Sequence, residues 1–102
     1  INNTAKGLIN SASSLNLTAG SLESGAGGEV SAARDMTLVL SALSLNGGRL
    51  MSDAGLSIDM QGNDLNNVGG LITADGTLTL DRLRDLNNRS GEVSSAQSFT
   101  FN

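Results

Sequence analysis

Five glycines, Gly7, Gly28, Gly48, Gly70 and Gly91, stand 21, 20, 22 and 21 residues apart, and each opens the same pattern. Two residues on comes a branched apolar residue: Ile9, Val30, Leu50, Ile72 and Val93. Four on comes a small one: Ser11, Ala32, Ser52, Ala74 and Ser95. Eight and ten on come apolar pairs: Leu15 and Leu17, Met36 and Leu38, Leu56 and Ile58, Leu78 and Leu80, Phe99 and Phe101. With 38% apolar residues, fifteen such matches in fifteen arise by chance on the order of once in a million. A repeat of this length dictates the fold before any local propensity does.

Within each period the pattern alternates, as in Leu15-Asn16-Leu17 and Leu78-Thr79-Leu80. Alternation sends apolar side chains to one face and polar ones to the other, as a strand requires. Strands of about three residues are too short to pair as hairpins within one period. They can pair with the same strand one period later, about 4.8 Å away. The expected fold is therefore all-β: a parallel β-helix, or β-solenoid, of about 21 residues and three short strands per coil. The boundaries are a partial coil 1–6, coils 7–27, 28–47, 48–69 and 70–90, and a partial coil 91–102, all in one domain. A further leucine late in each period (Leu22, Leu43 or Leu45, Leu65, Leu86) wanders in offset, so one corner absorbs insertions while strand registers stay fixed.

A narrow lumen explains the scarcity of aromatics. Phe99 and Phe101 fall on core positions, while Asn16, Thr37, Ser57, Thr79 and Thr100 should line up on the outside. Proline is absent, as expected where nearly every N–H donates to the next coil. The anchor glycines suit a corner that needs positive φ or close approach of neighbouring turns. Asn66 and Asn87 share a corner, where side-chain amides can bond up the stack.

Composition removes several function classes. Six basic against ten acidic residues leave a net charge of −4, with no Trp or Tyr, which argues against nucleic-acid binding. Histidine and cysteine are both absent, removing zinc sites, Cys or His nucleophiles and disulfides together. No apolar run reaches the roughly 18 residues of a membrane span. Gly25-Ala26-Gly27-Gly28 lacks the Lys-Ser/Thr of a phosphate loop. No cofactor is expected.

The carboxylates form the one constellation with chemical promise. Asp53 and Asp75 stand five after their anchors, Asp59 and Asp81 eleven after, and Asp64 and Asp85 each precede the late leucine. Pairs about 5 Å apart repel by roughly 0.8 kcal/mol in water, which a divalent cation would relieve. Asp53, Asp75, Asp59 and Asp81 are therefore the candidate metal ligands. Against that, Asp suits corners, and Arg82 and Arg84 can neutralise the rest. Arg82, Arg84 and Arg89 are the candidate surface contacts for an acidic glycan, with Asp81 and Asp85 interleaved as internal counter-charges.

The sequence Leu65-Asn66-Asn67-Val68-Gly69-Gly70-Leu71-Ile72-Thr73-Ala74, echoed by Leu86-Asn87-Asn88-Arg89-Ser90-Gly91-Glu92-Val93, resembles the repeat of filamentous haemagglutinin and its relatives. These are large exoproteins of two-partner secretion, including contact-dependent inhibition effectors. The resemblance covers essentially the whole chain, and the corner Leu22-Glu23-Ser24-Gly25 departs from it. It implies a right-handed β-helix exported to the surface of a Gram-negative cell, within the filament of an adhesin or toxin-delivery stick. The expected role is a non-catalytic shaft segment whose partners are neighbouring repeats of a longer chain. The alternatives are a face that binds a host or bacterial receptor or glycan, and a fragment of a polysaccharide-active β-helix enzyme. The chain opens on a corner and closes within a turn without polar caps, so the isolated segment is expected to associate end to end.

Overall fold

A computed structural model describes residues 2–4 and 6–101 of the chain, with Phe99 and Phe101 described by backbone alone. Ten strands alternate short and long along the sequence. The short ones are β1 (Leu8–Ser11), β3 (Glu29–Ala32), β5 (Arg49–Ser52), β7 (Leu71–Ala74) and β9 (Glu92–Ser95). The long ones are β2 (Leu15–Glu23), β4 (Met36–Ser44), β6 (Leu56–Asn66) and β8 (Leu78–Asn87), followed by β10 (Phe99–Phe101). They build two five-stranded sheets, β1-β3-β5-β7-β9 and β10-β8-β6-β4-β2. Every pairing is parallel and joins a strand to its copy one coil away. The β-solenoid expected from the period is the fold. Among the described residues no helix is long and apolar enough to cross a membrane.

The registers follow the sequence alignment. Ile9, Val30, Leu50, Ile72 and Val93 form one file, and Leu15, Met36, Leu56, Leu78 and Phe99 another. Val30, Leu38, Leu50, Ile58, Ile72, Leu78 and Leu80 are fully buried. Each such aliphatic contributes about 1.5–3 kcal/mol of burial. In the outermost coils Ile9, Leu15, Leu17 and Val93 are covered only in part. The core readings for Phe99 and Phe101 lie outside the described side chains; their backbones pair with Leu78 and Leu80. Asn16, Thr37 and Thr100 are exposed, and Ser57 and Thr79 half-buried, on the outer face.

The third segment of each coil is not a separate strand. Leu22-Glu23, Leu43-Ser44, Leu65-Asn66 and Leu86-Asn87 are the tails of the long strands and pair in register. Extra residues are taken up just before these tails, where the ladder slips between Asp59 and Leu65. Gln61 (φ 54°), Gly62 (φ 83°) and Arg82 (φ 47°) make the bulges that absorb them.

Of the two roles that suit an anchor glycine, positive φ or close approach, the anchors fill the second. A Cβ on Gly48 would overlap the Ser24 carbonyl oxygen, and one on Gly70 would lie 2.5 Å from both Leu45 O and Asn67 Oδ1. The anchor thus serves close approach. Positive φ belongs to the residue before it: Lys6 (65°), Gly27 (82°), Gly47 (76°), Gly69 (64°) and Ser90 (55°).

The asparagine stack is also displaced by one residue from expectation. Asn66 and Asn87 stand in register, but their Oδ1 atoms accept N–H groups of their own coil, from Val68 at 3.2 Å and Arg89 at 3.4 Å. The bond between coils is made by the next residue. Asn67 Nδ2 donates to Asn88 Oδ1 at 2.6 Å and to Glu92 O at 3.1 Å. Asn3 Nδ2 donates to Ser24 Oγ at 3.1 Å and to Glu29 O at 2.9 Å. Leu45 occupies the same column, because Leu43, not Leu45, aligns with Leu22 and Leu65.

Candidate functional site

The long strands β6 and β8 carry Asp59, Asp64, Asp81, Arg82, Arg84 and Asp85 of the charged residues singled out by sequence. Asp59 and Asp81 face each other across β6 and β8, as the spacing predicts. The Arg82 bulge turns its guanidinium back onto the earlier coil, where Nε donates to Asp59 Oδ1 at 2.9 Å and Nη2 to Oδ2. Asp59 Oδ1 also accepts the Gln61 N–H at 2.9 Å. One step along, Arg84 grips Asp64 through two bonds of 2.9 Å. The charge-assisted bonds from Arg82, and then the Gln61 N–H, hold the Asp59 carboxyl below its ordinary value. Arg84 does the same to Asp64.

The consequence is a surface whose charges answer one another. Arg82 and Arg84 are bidentate partners of the neighbouring coil's carboxylates. A ligand would have to displace those bonds to use them. Arg89 is exposed and forms no ion pair among the described residues. Asp53 and Asp75 are exposed at corners, each anchored by its N–H to a carbonyl of the preceding coil, Ala32 O at 3.0 Å and Ser52 O at 3.1 Å. Among the described residues no three His, Cys, Asp or Glu side chains gather as a metal site would require.

Two surface depressions were not singled out from the sequence. One, about 280 Å³, runs along the outer hydroxyl file and is lined by Asp35, Thr37, Ser57, Thr77 and Thr79. Gly55 opens its middle and fixes one wall by donating its N–H to Asp35 Oδ1 at 3.0 Å. The other, about 410 Å³, is an open groove lined by Lys6, Gly7, Leu8, Gly27, Glu29 and Arg49. Arg49 Nη2 lies 3.3 Å from Glu29 Oε1 on its wall. Leu8 is 62% exposed, the one large apolar side chain left open among the described residues. The available sequence signal was Lys6, the sole lysine, in a column where three coils carry glycine.

Comparison with known proteins finds no matching family model, no similar curated protein and no solved structure that matches.

Proposed function

We propose that the chain is a shaft segment of a large secreted surface filament of the filamentous haemagglutinin kind, performing no reaction itself and holding a terminal adhesive or toxic region away from a Gram-negative cell. The observation that carries this reading is how the backbone and charges are used. Both strands of each coil bond to the coils beside them, and the paired arginines Arg82 and Arg84 are spent on coil-to-coil bonds. Such a rod gains length by adding laps, each stabilised by its neighbours, and its partners are the laps before and after.

The test is in-register shortening within the parent filament. Removing residues 28–47 joins Gly27 to Gly48 with strand phase preserved. Filament display and target-cell binding should survive that deletion and be lost on removing ten residues, which breaks phase. Loss of target binding with display intact after the in-register deletion would overturn the reading, since the segment would then hold the receptor site.

A further inference from the structure

We propose that Asn46 is a modification site, at which the side chain deamidates when its corner opens and is held silent while the coils are stacked. The chain has a single Asn-Gly step, Asn46-Gly47. Asn46 is exposed, at a corner bonded to a coil on either side. Of the described asparagines, only Asn16 and Asn46 have side chains without a hydrogen bond. Asn16 is followed by Leu17, whose side chain crowds the peptide nitrogen. Asn46 is followed by glycine, which leaves that nitrogen open to approach.

The reaction needs only water. The Gly47 nitrogen attacks Asn46 Cγ: the N–Cγ bond forms, the Cγ–Nδ2 bond breaks, the nitrogen's proton passes through solvent to Nδ2, and ammonia leaves. Water then opens the succinimide at either carbonyl, giving aspartate or isoaspartate. In the stacked coil the attacking nitrogen is occupied. Gly47 N–H donates to Val68 O at 3.0 Å, and the turn around it is closed by Gly48 N–H on Leu45 O at 2.7 Å, with Gly47 at φ 76°. Attack therefore waits for local opening, as amide hydrogen exchange does. The isoaspartate product no longer fits the closed turn. It carries the chain through Cγ, adding one backbone atom, and turns the Asn46 carbonyl that accepts the Ala26 N–H at 2.8 Å into a free carboxylate. Gly48, two residues on, has no room even for a Cβ against Ser24. Aspartate, in contrast, alters only an exposed side chain. The modification thus marks laps that have opened, and its isoaspartate form bars them from restacking.

The experiment holds the full chain in mildly alkaline buffer with and without denaturing urea. Peptide mass spectrometry reads deamidation at each asparagine, and isoaspartate methyltransferase labelling counts the isoaspartate. The free peptide Ser44–Arg49 under both conditions calibrates the effect of urea on the chemistry itself. After that correction, Asn46 should deamidate at least tenfold faster in urea than in the folded chain, and in urea it should lead every other asparagine. Once urea is removed, chains carrying isoaspartate at this position should stay outside the cooperative melt, while the Asn46→Asp variant melts with the parent. Equal corrected rates in the two conditions, a faster asparagine elsewhere, or isoaspartate chains that regain the parent's melting temperature would each overturn the proposal.

Discussion

The Asn67 side chain lies between coils and donates to Asn88 Oδ1 at 2.6 Å, yet its own Oδ1 is buried without a hydrogen-bond partner. The cause stands one coil below. In the repeated geometry the lower residue of the column donates upward, as Asn3 does to Ser24, and at the next rung but one that residue is Leu45, which has nothing to donate. The orphaned oxygen packs instead against the Gly70 backbone.

Leu45→Asn should therefore behave unlike an ordinary core polar substitution. Its amide would reach Asn67 Oδ1 and the Leu71 carbonyl, repeating the Asn67 pattern. A buried Leu→Ala change typically costs about 2–5 kcal/mol, and an unpaired buried amide adds a desolvation penalty. We expect Leu45→Asn to be at least about 1 kcal/mol less destabilising than Leu45→Ala, because a satisfied pair avoids that penalty. Urea denaturation checks it. The advantage should vanish in an Asn67→Ala background, and its persistence there would show that the amide ladder is not its source.

How much was legible in the sequence follows from the same column. Period, strand registers and the inward file were readable because residues such as Val30, Leu50 and Ile72 repeat their chemistry at a fixed offset. The corner was less so. Leu45-Asn46 imitates Leu65-Asn66 in letters, but the backbone aligns Leu43 with Leu65, and only the alignment reveals which asparagine turns inward. The carboxylate pair Asp59 and Asp81 was placed correctly by counting. The bidentate grip of Arg82 depends on a bulge with φ 47° that no periodic pattern encodes. The Lys6 groove was missed because it is assembled from the starts of three successive short strands, β1, β3 and β5, and the corners before them, at one edge of the short-strand sheet.

Glycine substitutions at the two corner positions should act in opposite directions. Ser90→Gly removes a Cβ from a residue at φ 55° and should stabilise by up to about 1 kcal/mol, reduced by the greater freedom of glycine in the unfolded chain. Gly48→Ala drives a Cβ into the Ser24 carbonyl and should prevent the corner that opens coil 48–69 from closing onto the end of coil 7–27. Melting temperatures of the two variants decide it. A tolerated Gly48→Ala would mean that the coils approach less closely than described.

Adjacent residues of β8 test the assignment of faces. Leu78 is fully buried, so Leu78→Asp places a carboxylate in the lumen without a partner and should abolish cooperative unfolding. Thr79 points outward between Ser57 and Thr100, and Thr79→Asp should shift stability by less than about 1 kcal/mol. Circular dichroism melts of both variants give the comparison; equal losses would place the inward file wrongly.

Acid should loosen the long-strand sheet through Asp59 and Asp64. Both carboxyls lie below the ordinary 3.8 because Arg82 and Arg84 bond to their charged forms. A carboxyl depressed by folding contributes stability above its unfolded value and loses that contribution as pH falls through the folded one. The loss therefore belongs below about pH 4. Since the pairs are largely exposed, salt should screen the effect. Melting temperature should fall between about pH 4 and pH 2, less steeply in high salt. The double variant Arg82→Gln, Arg84→Gln should have a flatter acid limb than the parent chain. An acid limb of unchanged steepness in that variant would assign the protons to other carboxylates, and the coil-to-coil role of the two arginines would fall with it.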